Sequence, residues 1–231
     1  MSTIWQSLDL LVTRGLPTTI LLTLGLLGMG LLLGFPIAFL QVYGYRPVRW
    51  FCRGYEQVFR GVPALVLILI FHSGLSRSFD ILLPAFASAL LALGLRSSAY
   101  QSQIFRGAIQ SVSEGQMLAA RSVGMSKFHA IRHIILPQAF RLSIPPWTNE
   151  YSSVLKDTSL ASAIGVLELM KQTTLIFTRI QFILGAQWIL VILMLAALIY
   201  WILTYLGNAG LGYLESRTRI PGFEMKGQVE R

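Results

Sequence analysis

The apolar positions of this chain gather into runs instead of alternating with polar ones at a strand or amphipathic-helix period. No charge interrupts the stretch from Leu16 to Tyr43, and none interrupts Phe182 to Leu214. A hydrocarbon core roughly 30 Å thick is crossed by about 20 helical residues rising ~1.5 Å each, so both runs are long enough to span a bilayer. Three further stretches are apolar but interrupted. The pattern therefore predicts five spans: about Leu16 to Tyr43, Tyr55 to Ser76, Ile81 to Phe105, Glu150 to Met170 and Phe182 to Leu206. Arg60 and Pro63 fall near the start of the second, Arg96 inside the third, and the polar run Lys156-Asp157-Thr158-Ser159 inside the fourth. The expected fold class is all-α, a polytopic membrane unit over residues 1–231. Residues 106–149 form a long loop within it and 215–231 a tail.

Composition agrees with that reading. Hydrophobic residues make up 54% and charged residues 13%, about half the charged share of a soluble domain. The amino terminus lacks the charged segment and small-residue cleavage site of a secretory leader, so the first run is expected to stay in the mature protein. Cys52 is the one cysteine, which excludes an internal disulfide. His129 and His133 are spaced i, i+4, but Ala130 stands where a zinc-protease helix needs its glutamate. No metal is expected.

The net charge of +9 raises the question of nucleic acid until the charges are sorted by loop. One side of a five-span chain collects Arg46, Arg49, Arg53 and Arg60, then Arg106, Arg121, Lys127, Arg132 and Arg141, then Arg217, Arg219, Lys226 and Arg231. The other side collects only Arg14, Arg77, Lys171 and Arg179. Cytoplasmic loops are enriched in Lys and Arg, so the amino terminus is expected outside and the tail in the cytoplasm. Membrane lipid, and no nucleic acid, is the partner that this charge implies. Gly30 and Gly34 in the first span suit close helix packing, or else are chance glycines in a leucine-rich run.

The loop carries the most specific signal. Good helix formers from Ser113 to His133 are broken at Gly124, and Ser126 can cap a following helix, which predicts two short helices with a bend, ended at Pro137. Ala119 and Ala120, three residues, Gly124, nine residues, then Ile134, a further residue, Leu136 and Pro137 match the cytoplasmic loop signature of ABC importer permeases. Leu118 stands where that signature has Glu, and Glu114 lies one helical turn earlier. Phe59-Arg60-Gly61-Val62-Pro63 and the run from Ala99-Tyr100 to Arg106-Gly107-Ala108-Ile109 resemble segments of the polar amino acid permeases of the histidine, glutamine and arginine type, as does Leu155-Lys156-Asp157-Thr158-Ser159-Leu160. Gln103 replaces a Glu common in that family.

The resemblance implies an amino-acid importer subunit whose loop docks on a partner ATPase through Glu114, Ala119, Ala120, Gly124, Leu136 and Pro137. It also implies an extracytoplasmic substrate-binding protein and a second permease copy or paralogue. No lysine of this chain follows a glycine, so no phosphate-cradling loop of the G-x-x-x-x-G-K-[ST] kind exists here. The chain is therefore expected to have no cofactor and no hydrolytic activity of its own, with ATP bound by the partner.

Charges at bilayer depth are costly and persist where protein or water receives them. Arg96, Tyr100 and Gln103 are spaced i, i+4, i+7 and share a helix face; Glu150 and Asp157 share another, with Lys156 beside it. Two readings stand for these six: a pathway for a zwitterionic solute, or an internal ion pair of Arg96 with Asp157 or Glu150. Rival functions are a secondary transporter without ATPase, which leaves the loop signature unexplained, and a passive anchor, which needs no polar faces at mid-bilayer.

Overall fold

A computed structural model describes residues 9–185 and 187–218, and all of its regular elements are helices. Eight helices follow in order: α1 Leu11–Tyr43, α2 Arg46–Gly61, α3 Ala64–Phe79, α4 Ala85–Ser111, α5 Glu114–Ser122, α6 Lys127–Ile164, α7 Leu169–Leu184 and α8 Gln187–Thr218. The tail residues Arg219, Lys226 and Arg231 lie outside the described residues.

Helices α1 and α8 are each long and apolar enough to cross a membrane, and α2 with α3 and α6 with α7 qualify as two more if each bent pair is one span. The five expected spans need correcting at their boundaries. The second runs across a break at Val62 and Pro63, where the chain turns by 101° between α2 and α3. The residue before a proline is pushed to extended backbone, and Val62 has ψ 133°. The third is displaced towards the carboxyl end, because α4 continues to Ser111.

The fourth is displaced most. Its helix starts at Lys127, so Glu150 sits well inside it, and the expected end at Met170 lies beyond a 52° bend between α6 and α7. Gly165, with φ +88°, sits at that bend. Pro137 does not end a helix as its lack of an N–H suggested. A π-turn over Ile131–Ile135 precedes it, in which the Leu136 N–H reaches back to the Ile131 carbonyl, and the widened turn takes the proline into the first turn of the helical stretch Leu136–Asp157. Residues 106–149 are thus largely helical, and the segment between the long helices shrinks to α5 and its two flanks. In the fifth expected span, Gly185 with φ +94° separates α7 from α8.

Helix α4 is the centre of the molecule, with α1, α2, α3 and α6 around it. Its inward positions are small: Ser88, Ala89, Ala92, Gly94, Ser97, Ser98 and Ala99 are all buried. They let neighbours approach closely, which matters in lipid because no hydrophobic push drives helices together. Gly30 and Gly34 of α1 provide the closest approach. A methyl on Gly34 would lie 2.7 Å from the Ser98 carbonyl oxygen, and one on Gly30 would overlap the Gln101 amide. Close packing is the correct reading of those two glycines.

An apolar core of Leu22, Leu26, Ile68, Leu93, Val154 and Ala161 joins α1, α3, α4 and α6. A second cluster, Ala108, Ile109, Val112, Ile135 and Ala139, ties the end of α4 to the start of α6 and so seats α5. Helix α8 is exposed along its apolar length, Leu190, Met194, Leu198 and Trp201 included, as suits a helix bathed in lipid.

Candidate functional site

Two groups of residues stand out, one along the seam between α4 and α6 and one at the turn that connects them. In the seam, Arg96 Nη1 of α4 donates to Asp157 Oδ2 of α6 at 2.5 Å, with both side chains about three-quarters buried. Arg96 also lies over the Tyr100 ring, 4.8 Å from its centroid, and its Nη2 reaches the Tyr100 hydroxyl at 3.4 Å. Arg60, at the end of α2, lies 4.9 Å from the centroid of the same ring. One helical position beyond Arg96, Ser97 Oγ donates to Glu150 Oε1 at 2.7 Å; Glu150 is only 8% exposed.

Gln101 completes the seam. It is fully buried, donates to the Leu27 carbonyl of α1 and to Ser97 Oγ at 3.2 Å each, and accepts from Trp147 Nε1 of α6 at 2.9 Å. One amide therefore links three helices. A separate polar knot sits nearer the α5 end of α4: Glu56 of α2 accepts from Ser102 Oγ at 2.5 Å and from Arg106 Nη1 at 3.2 Å, and Arg106 also donates to Gln41 Oε1 of α1.

The connecting turn is built by capping. Ser113 Oγ accepts from the Gly115 N–H at the start of α5. At its end, the Gly124 N–H donates to the Arg121 carbonyl and the Met125 N–H to the Ala120 carbonyl at 3.1 Å each, with Gly124 at φ +83°. This is the Schellman arrangement, whose left-handed position favours glycine. Ser126 Oγ then accepts from the His129 N–H and starts α6.

The outward surface of this turn carries Glu114, Leu118, Ala119, Val123, Gly124 and Phe128, all exposed. Leu118 at 67%, Val123 at 79% and Phe128 at 62% are large apolar side chains in the open. Ala120 points the other way and is 3% exposed, so of the two alanines only Ala119 is free to meet a partner. Leu136 is half-buried at the start of the helical stretch that follows, and Pro137 is exposed.

Residues 30–220 match the family described as "Binding-protein-dependent transport system inner membrane component". The chain belongs to that family. It is 40% identical over 202 residues to the L-cystine transport system permease protein of Bacillus subtilis, covering 87% of this chain and 83% of that one. It is 32% identical over 220 residues to the glutamine transport system permease protein of Escherichia coli, covering 95% and 97%. A chain from the crystal structure of an amino acid ABC transporter with histidines superposes with a TM-score of 0.82 at 33% identity, covering 93% of this chain and 96% of that one. The permease reading of the sequence, its all-α fold and its place in an inner membrane thus stand on the family.

Of the six pathway residues expected in this permease, the fold brings Arg96, Tyr100 and Asp157 into contact and places Glu150 beside them through Ser97. Gln103 is half-buried and makes no side-chain hydrogen bond among the described residues. Lys156 is not brought to the group: it lies about 100° round the helix from Asp157 and is exposed, without an ion pair among the described residues.

Gln101 and Ser97 were missed because helical spacing from Arg96 selects Tyr100 and Gln103, whereas the residues bonded across to α1 and Trp147 lie on the next face. The signal for Gln101 was in another helix, at Gly30. Glu56 was missed because a lone acid in an arginine-rich segment reads as a solvated face. On the far part of α4, His72 Nδ1 of α3 lies 3.2 Å from Ser88 Oγ, within hydrogen-bond distance.

Proposed function

We propose that this permease is the membrane-spanning subunit of an ATP-driven importer for polar amino acids, working with two ATPase subunits that bind the nucleotide, an extracytoplasmic substrate-binding protein and a second permease copy or paralogue. The observation that carries this reading is mechanical. The two helices that α5 connects, α4 and α6, are the two that meet in the Arg96–Asp157 pair. A partner that grips the exposed α5 turn therefore acts on that pair through α4 and α6, each of which runs as helix from the edge of the turn to Arg96 or Asp157.

In this mechanism the partner's groove receives Glu114, Ala119 and Gly124, with Leu118 in the place of the signature carboxylate. An apolar knob there seats by burial where the signature has a charged contact. Ala120 and Leu136 act from behind, holding α5 against α6, while Pro137 is exposed on the partner's side of the same turn. Closure of the ATPases draws the turns of two permeases together, and the α4–α6 seams exchange exposure between the two sides of the membrane. Arg96, Tyr100, Glu150 and Asp157 line the route, with Gln103 and Lys156 at its margins. The amino terminus faces outside and the tail the cytoplasm, as the loop charges require.

Relatives named for L-cystine and glutamine transport support an amino-acid cargo. The test is uptake of labelled L-cystine and L-glutamine by vesicles that hold this permease, its ATPase and its binding protein. Uptake should require ATP and all three components. Vesicles that move the label equally well with the ATPase left out would end this reading.

A further inference from the structure

Tyr100 is flanked by two guanidinium groups, and the two are not alike. Arg96 has a carboxylate partner in Asp157 at 2.5 Å. Arg60 has none among the described residues and lies over the Tyr100 ring, 4.9 Å from its centroid. Its Nε is buried and meets no hydrogen-bond acceptor among those residues, and the same holds for Arg96 Nε. Two N–H donors on two cations, both beside one tyrosine, thus point at nothing that accepts. Buried guanidinium donors without an acceptor are unfavourable, and an ionised arginine cannot relieve the cost by losing its proton.

The position of Arg60 adds to this. It occupies the last turn of α2, just before the 101° turn into α3 at Val62 and Pro63. The partial negative charge of a helix carboxyl end explains how a cation is tolerated there, but it leaves the Nε unsatisfied. A planar guanidinium stacked on an aromatic face keeps its edge free for a planar, two-oxygen anion, the geometry in which arginine binds carboxylates.

We infer that Arg60, backed by Tyr100, receives the carboxylate of the transported amino acid. This rests on the amino-acid reading above and deepens it, since Asp157 is held by Arg96 and Glu150 by Ser97, which leaves Arg60 as the cation of the group without an ion pair among the described residues. The Arg60 Nε is closed off in this arrangement, so the ligand carboxylate supplies the missing acceptor as the seam opens.

The test uses the purified permease–ATPase complex without binding protein, and measures equilibrium binding of labelled L-glutamine and L-cystine. Arg60→Gln should weaken binding at least about tenfold, the loss expected for one charge-assisted hydrogen-bonded contact, and Arg60→Lys by less. The native complex should prefer L-glutamine to its α-carboxamide, and Arg60→Gln should lose that preference. Assembly with the ATPase should be retained in both variants, as co-purification reads. The inference is overturned if Arg60→Gln binds as the native complex does, if the preference over the carboxamide survives, or if the native complex binds neither label. It is equally overturned if neither variant assembles, because Arg60 would then serve structure alone. Normal three-component uptake by the native complex alongside any of these results leaves the importer reading intact, whereas absence of that uptake sinks the importer reading itself.

Discussion

Two seams run along α4, and they are built on opposite principles. Towards α1, Gly30 and Gly34 remove side chains so that backbone meets backbone, and a single added methyl on either would collide with Gln101 or the Ser98 carbonyl. Towards α6, side chains reach across: Arg96 to Asp157 at 2.5 Å, Ser97 to Glu150 at 2.7 Å, Trp147 to Gln101 at 2.9 Å. A seam of close-packed backbone has one arrangement, since any separation forfeits its contacts at once. A seam of polar side chains has several, because water, ligand or a neighbouring group can replace each partner. The difference teaches which side of α4 is scaffold and which side can open.

Gly30→Leu is expected to have the largest effect. The new side chain must displace Gln101, which also loses its bonds to Trp147 and the Leu27 carbonyl, for a cost above about 3 kcal/mol. Thermal unfolding in detergent should show it, and a variant as stable as the native protein would remove the scaffold side of the comparison.

Gly124→Asp comes next: uptake and ATPase docking should be abolished with insertion intact. Aspartate tolerates the left-handed backbone better than most residues, and a side chain added at Gly124 meets open space, so the turn itself survives. Co-purification with the ATPase measures the docking, and normal uptake by this variant contradicts the coupling role of the turn.

Arg96→Ala leaves Asp157 unpaired. It should cost about 1–3 kcal/mol, less than breaking a fully buried pair because these side chains keep some solvent contact, and should lower uptake at least about tenfold. The exchange of the two residues, Arg96→Asp with Asp157→Arg, should recover stability more than uptake. Equal recovery of both would mean the pair serves only to join the helices.

Ser126→Ala should be mildest, about 1 kcal/mol for a lost helix cap, felt as faster amide exchange across residues 126–130 with uptake within about twofold. No change in exchange there would show that the Ser126 cap does not hold the turn.

The sequence showed the helical class, the first and last long helices and the break at Gly124, since each depends on local chemistry: apolar length, or the one residue that accepts a positive φ without strain. It misplaced the α6 helix. Pro137 read as a helix end, and only the packed structure absorbs it, through the π-turn at Ile131–Ile135; Pro145 and Pro146 also lie inside the helical stretch Leu136–Asp157. For the candidate site, the polar residues of one helix can be sorted by face from sequence, which found Arg96 and Tyr100. Sequence narrowed the partner of Arg96 to Asp157 or Glu150 and could not choose, because contacts across helices depend on the rotation of each helix against its neighbour.

What the chain determined by itself is a basic-inside bundle of apolar helices with a capped turn between two of them, because hydropathy, charge asymmetry and capping act over a few residues at a time. What the tertiary structure alone decided is that Gln101 rather than Gln103 is buried at the junction of α1, α4 and α6, that Arg96 is matched by Asp157, and that Arg60 is matched by no carboxylate among the described residues. Those outcomes depend on which side chains long-range packing places within about 3 Å of one another, and no local pattern encodes that distance.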